Sequence, residues 1–210
     1  MGSILFTKEG PRMVEMIHKR KGEVFLDLKF HDIPNTVARA VSRATRLGVF
    51  MMNVHASGGE EMMKKASEAV RIEAHKSGLP PPKLIAVTAL TSLDKNGLKK
   101  IGVDANIQTH VLTLARLAKK AGLDGVVSSP IEIDIIRKKL GDEFLIVTPG
   151  VRPKWAVSND QKRFATPEEA IKRGATYIVV GRPITGVGNP LVACERVLEE
   201  IKDAESRLKR

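Results

Sequence analysis

Cysteine is nearly absent: the 210-residue chain has one, Cys194. That excludes an internal disulfide framework and fits a reducing compartment, the cytoplasm. Its place on the apolar stripe of the last predicted helix marks it as a core thiol. No apolar run approaches the roughly 20 residues of a membrane span, so no membrane partner is expected. The opening residues, MGSILFTKEGP, have neither a basic flank nor a long apolar centre, so no signal peptide is expected. Aromatics make up 4% of the chain, too few for the stacking platforms that hold single-stranded nucleic acid. There is no G-x-G-x-x-G dinucleotide motif, and GVGNP at 186–190 does not fit one. Tandem repeats and low-complexity linkers are also missing.

What remains is a soluble globular composition, 42% hydrophobic and 28% charged. It is enough for one domain, 1–210, with a real core. The net charge of +11 gives a mild bias toward anionic partners. The cations are scattered over helix ends and polar faces, a solvated pattern, and no recognition motif points to nucleic acid.

Short runs rich in β-branched residues recur: EVFLDLK (23–29), VFMMNVHA (49–56), KLIAVTAL (83–90), GVVSS (125–129), FLIVTPG (144–150) and YIVVG (177–181). Such runs suit parallel strands buried on both faces. Amphipathic segments lie between them, with readable ends. Residues 34–47 carry Val37, Ala40, Val41, Ala44 and Leu47 on one stripe. SPIE (129–132) and TPEE (166–169) each offer a capping residue, Pro at the first helical position and Glu three residues after the cap. The helix at about 11–21 ends in HKRK with Gly22 after it. The helix at about 190–208 sets Leu191, Cys194, Val197, Leu198, Ile201 and Leu208 on one face.

Alternating strands and helices predict a parallel α/β protein, either an open sheet or a (β/α)₈ barrel. Polar residues cluster at strand C-terminal ends: Lys29, His55, Thr91, Ser128, Arg152 and Arg182. Barrel enzymes build their sites there. Only six full strands are visible, so the barrel is N-terminally incomplete in this chain.

The most informative stretch is FLDLKFHDIPNT (25–36). Alternation puts Phe25, Asp27 and Lys29 on one strand face, and Asp32 comes next, in the turn before a helix. An arbitrary D-x-K reads as a buried ion pair. The strand-end position and the HDIPNT continuation point instead to a reaction site. Farther on, GRP (181–183) combines a glycine that lets amides approach an anion with an arginine that can fork two oxygens. Residues 148–167 form a long polar connection of the kind found in lids. His55 reads as a hydrogen-bonded structural histidine.

DLKFHDIPNT resembles the D-x-K-x-x-D-I-P-N-T signature of the orotidine 5'-phosphate decarboxylase family. NVHASGG (53–59), AVTALTS (86–92), GLDGVVSS (122–129), VTPGVRP (147–153) and IVVGRPIT (178–185) occur in that family's order. The resemblance implies a homodimeric (β/α)₈ barrel that decarboxylates orotidine 5'-phosphate to UMP without metal or cofactor. It makes Lys29 the proton donor to C6 of the pyrimidine, with Asp27 flanking it. Asp32, Ile33 and Thr36 would reach into the partner subunit's site. Thr91 would lie near the pyrimidine. Arg152, Gln161, Gly181 and Arg182 would bind the phosphate and belong to the closing loop. The chemistry suits these residue types: a fixed ammonium can stabilise the carbanion left by CO₂ and then protonate it.

The chain departs from the family at its start. MGSILF aligns with the residues just after a second-strand lysine, so the first strand, its aspartate and that lysine have no counterpart. One explanation is a short, impaired chain; the other is a GTG valine codon read as the initiating methionine. Two rival functions stay open. One is a metal-dependent sugar-phosphate decarboxylase on the same scaffold, such as a 3-keto-gulonate-6-phosphate decarboxylase. The other is a catalytically impaired barrel acting only in binding or assembly.

Overall fold

Strands and helices alternate along nearly the whole chain in the computed structural model, which describes residues 1–156 and 165–208. The order is α1 (Ser3–Glu9), α2 (Arg12–Lys19), β1 (Phe25–Phe30), α3 (Pro34–Thr45), β2 (Met51–His55), α4 (Gly59–Ser77), β3 (Lys83–Val87), α5 (Lys95–Lys100), α6 (Ile107–Lys120), β4 (Gly125–Val127), α7 (Ile133–Leu140), β5 (Leu145–Thr148), α8 (Pro167–Lys172), β6 (Tyr177–Ile178), α9 (Arg182–Thr185) and α10 (Pro190–Leu208). Each predicted strand is present, though shorter than its apolar run. β1 runs one residue past its predicted end and β2 ends at His55, so Lys29 and His55 stay within strands, whereas the residues trimmed from the C-terminal ends of β3 to β6 turn into loops.

The chain forms two compact units. The first comprises Met1–Thr88 and Thr113–Val126. In it β1, β2 and β3 pair in parallel and in chain order. Register runs straight from Met51↔Lys83 to His55↔Val87. Met52, Val54, Ile85 and Ala86 are fully buried, as expected for strands covered on both faces. Helices α3 and α4 pack together, tied by Glu73. Its carboxylate accepts from Ser42 Oγ at 2.7 Å and Arg46 Nε at 2.5 Å. The Arg46 hydrogen bond, then that from Ser42, holds the Glu73 carboxyl down to about 2.

The second unit comprises Ala89–Leu112 and Val127–Arg210. Ser128 N donates to Val147 O, and β5 pairs in parallel with β6 through Val147↔Tyr177 and Thr148↔Ile178. Helices α8 and α10 pack against each other. The capping box at TPEE forms as expected: Thr166 Oγ1 accepts from Glu169 N, and Glu169 Oε2 accepts from Thr166 N.

Two of three local expectations are corrected. SPIE opens a short 3₁₀ turn, Pro130–Glu132, and α7 starts only at Ile133. At the end of α2 Lys21 takes a left-handed conformation, φ +59°, and Gly22 follows as expected. Gly22 is needed for closeness: a Cβ there would lie 2.8 Å from Ile17 Cγ2. The buried face of α10 is Ala193, Val197 and Ala204, whereas Leu191 and Leu198 are exposed. Cys194 is only half-buried. The helical periodicity holds, but the buried stripe runs through Ala193, Val197 and Ala204 rather than through the leucines.

Candidate active site

In the first unit, β1 begins as a regular strand and then departs from strict alternation. Its register with β2 passes from Leu26↔Met52 to Phe30↔Val54, so β1 takes more residues than β2 over the same stretch. The irregularity is a bulge, a device that re-aims side chains beside functional sites. Lys29 sits inside it at φ +52°, a left-handed conformation that costs a residue with a Cβ about 1–2 kcal/mol.

Asn53 holds this conformation. It is wholly buried on β2, and its Oδ1 accepts from Lys29 N at 2.8 Å. Its Nδ2 donates to Asp27 Oδ1 at 2.6 Å. Lys29 Nζ donates to the same Asp27 oxygen at 2.7 Å. Asp27 and Lys29 therefore do meet, through a bulge and a buried amide rather than by plain alternation. Both side chains are half-buried, and with Lys8 they line a cavity of about 370 Å³. Asp27 N also donates to Met1 O at 2.9 Å.

Sequence reasoning missed Asn53 as a site residue. A signal existed, since an amide in the apolar run MMNV needs partners for its buried groups.

After β1 the chain turns outward. Asp32 Oδ1 accepts from Ile33 N at 2.6 Å, and Pro34 opens α3. Asp32, Ile33 and Thr36 are all exposed. His31 stacks on His55 with ring centroids 5.2 Å apart. His55 Nδ1 lies 2.6 Å from Ser57 Oγ, so His55 has the hydrogen-bonded role expected of it.

The second unit holds a different kind of site, a cavity of about 660 Å³. Its lining includes Thr91, Arg152, Gly181 and Arg182, bringing four sequence-predicted residues into one cavity. Thr91 lies in a turn beyond the end of β3. Gly181 immediately precedes the short α9, and a Cβ there would meet nothing within 4 Å. Gly181 is thus not required for lack of room. Glu132, buried at the end of its 3₁₀ turn, also lines the cavity and was not anticipated. Ser128, expected at a strand mouth, is buried instead, and its Oγ has no hydrogen-bond partner among the described residues. Gln161 lies outside the described residues.

The two sites can do different chemistry. The first presents a fixed ammonium beside a carboxylate. The second presents two guanidinium groups in a cavity large enough for a small anionic ligand. No described helix is long and apolar enough to cross a membrane.

Residues 1–197 match the model of the orotidine 5'-phosphate decarboxylase / HUMPS family. The chain is 54% identical over 201 residues to orotidine 5'-phosphate decarboxylase of Trichlorobacter lovleyi, covering 96% of this chain and 83% of that protein. It is 51% identical over 203 residues to the enzyme of that name from Moorella thermoacetica, covering 96% and 81%. Among solved structures it is similar to orotidine 5'-phosphate decarboxylase from Lactobacillus acidophilus, with TM-score 0.82, 38% identity, and coverage of 96% and 85%. An uncharacterized conserved protein from Geobacillus kaustophilus is similar at TM-score 0.80 and 38% identity, covering 95% and 86%. The parallel α/β order of six strands is that of the (β/α)₈ barrel these decarboxylases adopt.

Proposed function

Because the chain belongs to the orotidine 5'-phosphate decarboxylase / HUMPS family, we propose that it converts orotidine 5'-phosphate to UMP and CO₂, the last step of pyrimidine nucleotide synthesis. The observation that carries this reading is the Asp27–Lys29–Asn53 cluster. It fixes an ammonium 2.7 Å from a carboxylate at the end of a strand.

The bond from C6 to the substrate carboxylate breaks, CO₂ leaves, and the electron pair stays on C6. The Lys29 ammonium lies where that charge grows and stabilises it in place of water. It then gives its proton to C6, and solvent returns a proton to the amine. On this reading neither metal nor cofactor takes part. Asp27 positions the ammonium, and Asn53 positions both. Thr91 lies beside the pyrimidine. Arg152, Gln161, Gly181 and Arg182 bind the phosphate. Asp32, Ile33 and Thr36, exposed on the first unit, complete the site of a second copy in a homodimer. The protein works in the cytoplasm.

The test is to follow loss of the orotate absorbance band on incubating the chain with orotidine 5'-phosphate, with and without EDTA. Turnover unaffected by EDTA is expected. Turnover only with added magnesium would favour sugar-phosphate chemistry instead. The dimer has its own test, mixing Lys29→Ala and Asp32→Asn proteins. At full subunit exchange about a quarter of wild-type activity should return, from the one intact site in each heterodimer. A mixture that exchanges subunits and stays dead would place each site within one chain.

A further inference from the structure

The single tryptophan of the chain, Trp155, lies three residues after Arg152 in a short 3₁₀ turn, Lys154–Ala156. Helix α10 grips this turn twice. The Arg196 guanidinium lies over the Trp155 ring, 4.4 Å from its centroid. The Lys154 backbone amide bonds to the Glu200 carboxyl. A third tie comes from α8. Lys154 Nζ is 3.1 Å from Glu168 Oε2, and Glu168 Oε1 accepts from Lys172 and Arg207, each at 2.8 Å. Arg152 N donates to Ala165 O at 2.9 Å, so the backbone of the arginine is fixed too.

Two features set this cluster apart from ordinary loop packing. Trp155 Nε1 and Glu200 Oε2 are both buried with no hydrogen-bond partner among the described residues. Leaving such groups unpaired is unfavourable, and a loop free to relax would turn them to water. The stack of Arg196 on Trp155 and the Lys154–Glu168 ion pair tie the turn to α10 and α8. Burial pushes the Glu200 carboxyl up, consistent with a group kept from solvent by its packing. The same turn reaches the anion end of the unit: Trp155 and Ala156 line a second cavity, about 360 Å³, together with Arg152 and Arg182.

We propose that Trp155, Arg196 and Glu200 form a positioning latch that fixes the turn Lys154–Ala156 on α10 and so aims Arg152 at the phosphate of the nucleotide. The inference rests on the reading of Arg152 as a phosphate-binding residue. The latch touches neither the pyrimidine nor the reacting carbon. Its contribution is to affinity for phosphorylated ligands, because an arginine that wanders loses its hydrogen bonds to ordering entropy before it gains them.

The test compares Arg152→Ala, Trp155→Ala, Trp155→Phe, Arg196→Ala and Arg196→Lys in the full chain. Readouts are kcat and KM for orotidine 5'-phosphate, inhibition by UMP and by uridine, and thermal melting. Trp155→Ala and Arg196→Ala should raise KM and weaken UMP roughly threefold to tenfold, the scale of a lost cation–π contact. The kcat and uridine inhibition should stay within twofold. Trp155→Phe and Arg196→Lys, which keep a ring and a cation, should recover most of the loss. If Trp155→Ala does not fold, the Arg196 pair decides.

The latch is overturned if UMP and uridine weaken equally, or if Arg196→Ala binds UMP like the parent while Arg152→Ala does not. If Arg152→Ala itself weakens UMP no more than uridine, the phosphate reading fails and the latch fails with it.

Discussion

The two units solve opposite problems with opposite materials. The first places a charge that must not move, and it does so on strands. Strands β1 to β3 are five or six residues long; the centres of β2 and β3 are buried, and β1, half-buried for most of its length, is anchored by fully buried Leu26. The ammonium of Lys29 is set by a bulge whose amide is held from the neighbouring strand. On the proposed reading the second unit receives the anionic end of the ligand, and it does so on turns. Strands β5 and β6 are only four and two residues long. Its cavity is lined mainly by residues beyond the strand ends, including Thr91, Ser129, Arg152 and Arg182. A developing carbanion rewards a preorganised charge. A bound anion rewards reach, and side chains on turns supply it.

Substitutions can break or sharpen this contrast. Lys29→Ala should have the largest effect, a loss of kcat of roughly 10³-fold or more, with circular dichroism and melting preserved. Activity within tenfold of the parent would remove Lys29 from the reaction.

Arg182→Ala should come next, but in the other parameter. KM should rise about 10- to 100-fold, the range of a lost charge-assisted hydrogen bond, while kcat changes less. A kcat collapse with unchanged KM would erase the division of labour.

Asn53→Ala should lower kcat about tenfold, as loss of a group that orients a reacting residue commonly does, with KM little changed. Equal activity would mean that the bulge holds Lys29 without help from β2.

The smallest effect concerns acid. The Glu73 carboxyl is held down to about 2, mainly by Arg46. In the second unit the Glu168 carboxyl is also held down to about 2, mainly by Lys172 and then Lys154. A folded value below the ordinary 4.5 means that each contributes stability above pH 4.5 and loses it as pH falls toward 2. Melting temperature should drop through that window, and Glu73→Gln or Glu168→Gln should each flatten the drop slightly. A parent melting curve insensitive to pH between 4.5 and 2 would contradict both.

Much of this was legible in the sequence, for identifiable reasons. Six strands and the parallel α/β order follow from short apolar runs alternating with amphipathic segments. The TPEE capping box is local chemistry and formed as written. Asp27 and Lys29 were recognisable because charges at a strand end are rare. The features that failed depended on neighbours. The buried stripe of α10 runs through Ala193, Val197 and Ala204, whereas the larger Leu191 and Leu198 face solvent. The SPIE turn is 3₁₀ despite a good capping pattern. Asn53 went unnoticed because its role exists only once β1 bulges toward it. Glu132 lies in the cavity lining for a tertiary reason too: only the fold brings its 3₁₀ turn beside residues 149–152.

The left-handed backbone at Lys29 has a consequence for anyone who would improve this protein by selection. Glycine tolerates that conformation without the steric cost a lysine bears. On the reading of Lys29 as proton donor, a library screened for heat resistance alone would enrich Lys29→Gly molecules that catalyse nothing wherever the backbone relief outweighs the lost bond to Asp27. On that reading thermal robustness and chemistry pull in opposite directions at this position. The lysine persists only under a selection that counts product, so a stability-only campaign must hold residue 29 fixed.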